Sequence, residues 1–323
     1  MTEWTEAEKT TFEPVFFIQQ LLDWTQAYVM PGVLSLGLFG NTLSFVIFFR
    51  VRKRADACVQ YLSCLAISDN MVILTIGVVD WVAFGLKYVS NGTYSFNLAL
   101  YSSDTCRLVA GVWHVFEVIS AWIIVAFSAE RAYVVWFPLK RAYITPTVRK
   151  CIIFVISTSA VLLSLHRFIL MELIPGTPAL CFYKTNQIIA AALWQFDIAM
   201  YDYLPSICIF IANGLILSAI SRSRKQKLGE NVQNSRSEGR LLISLMSVST
   251  LYVVLLLPLS TLFAYIAEAR DTLGAERSLY LWYVMKYLTL VSVLNYCFNF
   301  IIYGCTLPFY RQEARKIFSF NWC

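Results

Sequence analysis

Two carboxylic acids lie in the middle of long apolar segments of this chain. Asp69 occurs in LAISDN, and Glu117 occurs in GVWHVFEVIS. A carboxylate at the centre of a membrane-spanning helix costs about 2.5 to 3.5 kcal/mol on insertion scales, so such a residue persists where it has a function or a partner. The pattern predicts that each acid has a function or a partner, or that it accepts structural hydrogen bonds inside a helical bundle.

A third charged feature ends one of these apolar segments. In VAFSAERAYVVWFPLK, residues 125–140, Glu130 stands beside Arg131. At a membrane edge such a pair is either a simple ion pair or a base held ready for a partner protein. The chain has 2 histidines, and neither clustered ligands nor a paired nucleophile and base occur in it. Metal chemistry and an enzymatic function are therefore not expected.

Seven apolar runs hold these residues. Charged residues make up 14% of the chain and its mean hydropathy is +0.62, whereas roughly a quarter of a soluble domain is charged. Each run has roughly the 20 residues that a helix needs to cross ~30 Å of hydrocarbon, and none alternates as a barrel strand would. The runs cover residues 28–49, 58–84, 106–131, 151–170, 188–220, 241–266 and 281–303. We expect an all-α membrane protein with a seven-transmembrane helix bundle.

The distribution of Lys and Arg predicts the orientation of the bundle. Basic residues accumulate in cytoplasmic loops, and most of the 26 in this chain fall on one side of the runs. The tail formed by residues 1–27 is then extracellular, and the acceptor pattern Asn91-Gly92-Thr93 lies in an extracellular linker. The net charge of +6 reflects this asymmetry, so we expect anionic lipid and an intracellular protein as partners, and no nucleic acid.

The third run has the period of a helix with one inward face. Trp113, Glu117, Ser120, Ile124 and Arg131 are separated by steps of three, four and seven residues, which keep them on one side. The run is long enough to cross the membrane, so its outer end faces a ligand and its inner end a cytoplasmic partner.

The outer ends of three runs supply a polar, aromatic and acidic mouth. A lone histidine there is usually a packed residue, but it is included among the candidates. The expected ligand-binding residues are Trp113, His114, Glu117, Asp197, Tyr201, Asp202, Lys286 and Tyr287. Cys106 and Cys181 are the two of the 9 cysteines that this topology exposes to an oxidising compartment, which makes them the disulfide candidates.

Taken together, the motifs of residues 36–318 resemble those of the rhodopsin-like (class A) family of G-protein-coupled receptors. The matching residues are Asn41 in GLFGN, Leu65-Ala66-Ile67-Ser68-Asp69, Cys106 and Cys181, Glu130-Arg131, Pro205, Pro258, and Asn299-Phe300-Ile301-Ile302-Tyr303. The resemblance implies that Cys106 and Cys181 form a disulfide. It also implies a plasma-membrane receptor, with residues 28–305 as the receptor domain and residues 306–323 as an amphipathic eighth helix and end.

The resemblance assigns further roles by position. Asp69, Ser120, Asn295 and Asn299 match a mid-membrane sodium pocket, for which a dry hydrogen-bond network is the alternative; no other cofactor is implied. The expected residues of G-protein coupling and switching are Glu130, Arg131, Pro138, Leu139, Glu238, Tyr252, Pro258, Asn299 and Tyr303. Arg131 would meet the G protein on activation, Glu238 would hold it at rest, and arrestin would be a further partner. Cys323 is a palmitoylation candidate or a plain exposed end.

Several positions depart from the family pattern. Ala132 replaces the tyrosine that usually follows the arginine, Phe300 replaces the helix-seven proline, and Leu256 replaces a tryptophan. Trp113 stands where an amine receptor has an aspartate, and Val293 where an opsin has a lysine. The Asn-Phe-x-x-Tyr variant, the short third cytoplasmic loop and the loop pair Phe182-Tyr183 look more like invertebrate neuropeptide receptors, including the Arg-Phe-amide group.

The expected function is therefore that of a receptor for an extracellular neuropeptide that activates a heterotrimeric G protein. Glu117, with Asp197 or Asp202, is predicted to pair with a cationic group of the peptide. A small-molecule chemoreceptor of the same family is the first alternative. A transporter or channel is the second, and it would show inverted repeats or helices broken by Gly and Pro, which the sequence lacks.

Overall fold

The computed structural model describes residues 6–51, 59–175, 180–226, 232–269, 272 and 274–319. Side chains are described for residues 13–51, 59–140, 142–175, 180–222, 239–266, 268–269, 272, 274 and 276–319. The side chain of Glu238 and the whole of Cys323, for which the sequence makes predictions, lie outside these ranges.

Eight helices and one hairpin organise the described part of the chain. Helix α1 comprises Glu6–Trp24, a π-helical turn Thr25–Val29, and Met30–Val51, and helix α2 comprises Val59–Val72, π-helical turns Ile73–Val78 and Trp81–Gly85, and Leu86–Val89. Helix α3 is Ser103–Trp136, α4 is Pro146–Leu170, and α5 comprises Gln187–Ile198, a π-helical turn Ala199–Tyr203, and Leu204–Gln226. Helix α6 is Val232–Ala269, α7 comprises Ala275–Cys297 and Asn299–Thr306, and α8 is Pro308–Phe318. Strands β1, Met171–Ile174, and β2, Leu180–Tyr183, pair antiparallel between α4 and α5. Short 3-10 helices, Leu98–Leu100 and Pro138–Tyr143, lie in two linkers.

Seven of these helices contain segments long and apolar enough to cross a membrane, which confirms the predicted bundle. Six of the seven start before their apolar runs. The continuous helix α1 begins at Glu6 instead of near residue 28, and α7 begins at Ala275 instead of near residue 281. An apolar run measures the thickness of hydrocarbon to be crossed, and polar residues continue a helix beyond it at little cost.

Helix α3 is the central element of the bundle. In its most apolar window 61% of the residues are buried inside the protein, against 17% for α4. The buried positions of α3 include Glu117, Ser120, Ile124 and Arg131, the face that the periodicity indicates. Large side chains elsewhere, such as Phe210 at 80% exposure, face outward, as expected for a surface that contacts lipid.

The hairpin is fastened to the start of α3. A capping box between Ser102 and Thr105 starts this helix, and Thr105 directly precedes Cys106. Cys106 forms the predicted disulfide with Cys181 of β2, with a Cα–Cα distance of 5.6 Å. The register then places Tyr183 opposite Met171, at the buried end of the strand pair.

Candidate functional site

A cavity lies among six of the spanning helices. It has about 540 Å³ of empty space, including its open mouth. Helix α2 contributes Ile76; α3 contributes Trp113 and Glu117; α4 contributes Arg167; α5 contributes Trp194, Asp197, Ile198 and Tyr201; α6 contributes Leu256, Leu259 and Phe263; and α7 contributes Thr289, Ser292, Val293 and Tyr296. Its apolar and aromatic walls and its few charged groups are those of a ligand pocket.

Glu117 is the acid of this cavity that lacks an ionic partner. Glu117 is 7% exposed, and its Oε2 has no hydrogen-bond partner within the described residues. No ion pair among the described side chains involves it. A buried carboxylate oxygen without a partner is costly, so the site favours a positively charged or hydrogen-bond-donating occupant.

Asp197, by contrast, is neutralised by Arg167 of α4. The Arg167 Nε and Nη2 atoms lie 2.9 and 2.7 Å from Asp197 Oδ2, and both side chains are buried. The guanidinium is also held between two indoles, 5.4 Å from the Trp113 ring centroid and 5.7 Å from that of Trp194. Asp197 therefore helps to shape the cavity wall, and its charge is already balanced.

Tyr183 links the hairpin to this ion pair. Its hydroxyl donates to Asp197 Oδ2 at 2.7 Å. Burial is the largest influence on this hydroxyl, and it raises the pKa of Tyr183, with the nearby Arg167 acting in the opposite direction. The side chain consequently stays in its O–H form and acts as a donor, fixing β2 over the bundle.

The predicted ligand-binding residues separate into two groups. Trp113, Glu117, Asp197 and Tyr201 line the cavity, whereas His114, Asp202, Lys286 and Tyr287 do not. His114 is fully buried between α3 and α4, and Asp202 is one residue beyond Tyr201, about 100° further round the helix, where Ser206 donates to it. Lys286 lies over the rings of Phe84 and Trp282, and Tyr287 packs against an apolar cluster that includes Met30 and Leu34 in the middle of α1.

Sequence reasoning missed Arg167, Trp194 and Phe263 as cavity residues. Arg167 carried a usable signal, because a base three residues before the end of an apolar run is expensive unless it faces an acid. The two aromatic residues carried none, since apolar positions on spanning helices face lipid or cavity alike.

A hydrogen-bonded group around Asp69 lies deeper in the bundle. Ser120 donates to Asp69 Oδ1 and Asn299 to Oδ2, each at 2.7 Å, and all three residues are buried. Both polar atoms of the Asn295 amide, and the Asn299 oxygen, are buried without hydrogen-bond partners in the described part of the chain. No group of three or more His, Cys, Asp or Glu side chains suited to a metal occurs among the described residues.

The charged pair at the inner end of α3 has a third member. Arg131 Nη2 lies 3.3 Å from Glu130 Oε1, and Arg149 of α4 places its Nε 3.0 and 2.9 Å from both oxygens of Glu130. All three side chains are buried, and the Arg131 guanidinium lies 5.9 Å from the centroid of Phe127. Sequence reasoning identified the pair and missed Arg149.

The other predicted switch residues are distributed along α6, α7 and the linker after α3. Tyr252 is buried and donates to the backbone carbonyl of Tyr201, and Pro258 lies inside α6. Tyr303 is buried against Phe48 and Tyr310. Pro138 and Leu139 open the 3-10 helix of the linker, where Leu139 is 95% exposed.

Phe300, which stands in place of the helix-seven proline, packs against α1. A Cβ atom built on Gly40 would lie 2.1 Å from Phe300 Cδ1, so this close approach requires glycine. Next to it, Asn41 Nδ2 donates to the Tyr296 carbonyl at 2.8 Å. Helices α1 and α7 are thus joined at the point where α7 is interrupted at Phe298.

Comparison with known proteins places these features in one family. A family model described as "7 transmembrane receptor (rhodopsin family)" matches residues 40–303. The somatostatin receptor type 1 of Rattus norvegicus is 24% identical over 304 residues, which is 92% of this chain and 72% of that protein. The thyrotropin-releasing hormone receptor of Gallus gallus is 26% identical over 57% of this chain and 46% of its own length. The FMRFamide peptide receptor frpr-18 of Caenorhabditis elegans is 29% identical over 42% of this chain and 31% of its own length.

Proposed function

We propose, on the premise that this chain belongs to the rhodopsin family of seven-transmembrane receptors, that it binds an extracellular peptide and activates a heterotrimeric G protein. Family membership makes the chain a multi-pass membrane receptor and not an enzyme. The relatives that resemble it are receptors for somatostatin, thyrotropin-releasing hormone and FMRFamide peptides, and they support a peptide as the ligand class.

The observation that carries the proposal is the Glu117 carboxylate in the cavity, whose Oε2 has no hydrogen-bond partner among the described residues. Arg167 already balances Asp197, so a cationic group of the ligand would find its counter-ion in Glu117. An N-terminal amine or a basic side chain meets this requirement, and the aromatic walls suit an adjacent apolar residue. The sequence left Asp197 and Asp202 open as helpers, and their observed hydrogen bonds favour a structural role for both.

The orientation that we propose puts the disulfide, the hairpin and residues 1–27 outside the cell. The turn after α2 then carries the acceptor pattern on the same side, and Asn91, Gly92 and Thr93 are all exposed. Glycosylation of Asn91 follows as a prediction of this orientation.

The G-protein surface that we propose surrounds Arg131 at the opposite end of α3. Glu130 holds Arg131 at rest and is shared with Arg149, and exposed Leu139 belongs to the docking surface. The amphipathic helix α8 has basic Arg315 and Lys316 in its last turn, which suits anionic lipid at the inner leaflet. Arrestin binding is a prediction for the same surface.

The group around Asp69 has the donor set for a sodium ion. A hard cation requires oxygen ligands, and the carboxylate of Asp69, the Ser120 hydroxyl and the unpartnered amide oxygens of Asn295 and Asn299 provide them. We propose that these four residues would hold Na⁺ in the resting receptor, where the ion would supply the positive charge that the buried carboxylate lacks.

A nucleotide-exchange assay tests the proposed function. Purified chain in lipid nanodiscs is mixed with heterotrimeric G proteins and screened against amidated peptides that carry a basic residue. We expect at least one peptide to accelerate exchange, and no ion flux in liposomes that contain the chain. Exchange driven only by small molecules would replace the peptide proposal, and peptide-independent ion flux without exchange would overturn receptor function.

A further inference from the structure

Both histidines of the chain converge on one carboxylate oxygen. The Nε2 atoms of His114 and His166 lie 3.1 and 3.0 Å from Asp197 Oδ1. The two imidazole rings come from α3 and α4, with centroids 6.0 Å apart, and the acid comes from α5. We call His114, His166, Asp197 and Tyr183 the histidine cluster.

The hydrogen-bond partners of His166 favour an N–H on each of its ring nitrogens. Its Nδ1 lies 2.8 Å from the Leu163 carbonyl oxygen, which can only accept. Its Nε2 lies 3.0 Å from Asp197 Oδ1, also an acceptor, and 3.1 Å from the Tyr183 hydroxyl. A neutral ring with its hydrogen on Nδ1 can accept from that hydroxyl but leaves a lone pair beside the carboxylate, whereas an imidazolium donates on both sides. The geometry therefore favours an imidazolium at His166.

His114 faces Asp197 from the other side. Its Nδ1 lies 2.8 Å from Ser164 Oγ, and its Nε2 lies 3.1 Å from Asp197 Oδ1. A neutral ring with its hydrogen on Nε2 can accept from the serine hydroxyl and donate toward the carboxylate, so His114 needs no added proton. The proton of the cluster is therefore assigned to His166.

The charges around the cluster favour a positive charge on His166. The titratable groups that face it are His114 and Glu117 from α3, His166 and Arg167 from α4, Asp197, Tyr201 and Asp202 from α5, and Tyr183 from β2. Arg167 balances Asp197, and no ion pair among the described side chains involves Glu117 or Asp202. A proton on His166 therefore places positive charge beside two acids that no ion pair among the described side chains balances.

We propose that the histidine cluster is a proton-binding site of the receptor, which holds one proton on His166 at rest and releases it when a cationic ligand occupies Glu117. Protons reach the site from the side of the hairpin, because the His166 side chain is 15% exposed whereas His114 and Asp197 are sealed. The histidine cluster and Glu117 border the same cavity, because Asp197 and Glu117 both line it.

The ligand-dependent half of this proposal rests on the proposed function, and its sign follows from charge. A cation at Glu117 and a proton at His166 compensate the same acids, so each weakens the binding of the other. By linkage, ligand affinity falls as the cluster takes up its proton on acidification, by at most about tenfold per pH unit for one released proton. Acidification therefore weakens a cationic ligand and leaves an uncharged one unaffected.

The proton site itself is tested without ligand or G protein. The full chain, labelled with ¹⁵N and ¹³C in histidine, carries no histidine tag and is studied by NMR in lipid nanodiscs, where its 2 histidines give two ring signals. We expect one ring to be an imidazolium near neutral pH and to lose its proton as pH rises, with the second ring shifting in the same titration. Two rings that stay neutral between about pH 5 and 8, where an ordinary histidine changes charge, would overturn the proposal.

Variants assign the proton and test its partners. His166→Gln should remove the imidazolium signal, and its persistence would move the proton to His114 and refute the assignment. Tyr183→Phe keeps the ring contact with His166 and removes the acceptor, so the proton should be lost at lower pH. Tyr94→Phe, at an exposed loop position on the same side, is the matched control and should change nothing. If a variant does not fold, the wild-type titration alone still decides.

The coupling to ligand is measured with a basic amidated peptide that stimulates nucleotide exchange. Its potency should fall with acidification in the wild type and should vary less than about twofold over the same pH range in His166→Gln. A pH-independent potency in the wild type would refute the coupling. Failure of all peptides at every pH would refute the proposed function and leave the NMR result standing, so the two failures are distinguishable.

Discussion

Arg149 contacts both carboxylate oxygens of Glu130, at 3.0 and 2.9 Å, whereas Arg131 reaches one of them at 3.3 Å. The acid next to Arg131 in the sequence is thus bound more closely by a base 19 residues further along, on α4. Two buried guanidinium groups share the single negative charge of the Glu130 carboxylate. A closer contact with Arg149 therefore weakens the interaction of Glu130 with Arg131.

Loss of Arg149 is therefore expected to tighten the hold on Arg131. In Arg149→Gln both oxygens of Glu130 become available to Arg131, and a charge-assisted hydrogen bond of about 1.5 to 3 kcal/mol would lower ligand-independent nucleotide exchange about tenfold or more. Lys150→Gln, which removes an exposed base one residue away, is the control and should leave exchange unchanged. An increase in basal exchange in Arg149→Gln would contradict a competition between the two arginines.

Substitution of Glu117 should separate ligand binding from stability. Glu117→Gln removes the counter-ion proposed for the peptide, a loss of about 1.5 to 3 kcal/mol of binding free energy. We therefore expect the potency of the peptide to fall roughly ten- to 150-fold. The amide needs no counter-ion in the buried site, so the thermal unfolding temperature should stay equal or rise. Potency comes from exchange assays, and stability from unfolding in detergent.

The matched control for Glu117 is Asp104→Asn, an acid on the same helix with a side chain that is 91% exposed. It should change neither quantity. Equal potency of wild type and Glu117→Gln would remove Glu117 from the binding site, while loss of surface expression in Glu117→Gln would point to a structural role.

The sequence predicted the parts of this protein that depend on local composition. Seven spanning helices follow from hydropathy alone, and the buried face of α3 follows from its period. The pairing of Arg149 with Glu130, and of Arg167 with Asp197, depends on how α4 packs against α3 and α5. No local pattern encodes that packing, so sequence reasoning left Asp197 available to the ligand when it is already neutralised.

Position 300 gives a second example of the same limit. The sequence shows that phenylalanine replaces a proline, but only the structure shows that its ring occupies space left by the missing side chain of Gly40. The two residues are 260 positions apart, and a glycine in an apolar helix has many explanations. Spatial complementarity between distant residues is lost when one sequence is considered alone.

The contact between Gly40 and Phe300 is expected to be sensitive to a single methyl group. Gly40→Ala forces the ring to move in a packed interface, which costs about 1 to 3 kcal/mol and lowers the unfolding temperature. Gly214→Ala, where nothing lies within 4 Å, should be neutral or slightly stabilising because alanine favours helix. Adding Phe300→Ala to Gly40→Ala should relieve the overpacking, and purely additive losses in the double variant would show that the two sites do not interact.

The group around Asp69 should respond to the identity of the salt. If the four residues hold sodium, NaCl should raise the unfolding temperature of the wild type above that in KCl or choline chloride at equal ionic strength. Asp69→Asn removes the carboxylate and should abolish the difference between the salts. Asp104→Asn, far from this group, should retain it, and an equal response of the wild type to all three salts would favour a dry hydrogen-bond network.

The buried pair of Arg167 and Asp197 should be costly to break and inexpensive to remove. Asp197→Leu alone leaves the buried Arg167 charge uncompensated, which costs about 3 to 5 kcal/mol, and Arg167→Met costs less because His166 remains beside Asp197. The double variant removes both charges and should recover most of that loss in thermal unfolding. For comparison, Lys184→Met breaks an ion pair with Glu172 in which the lysine is 70% exposed, and it should cost at most about 1 kcal/mol. A double variant as unstable as the sum of its single losses would show that the two charges do not compensate each other and would contradict this prediction.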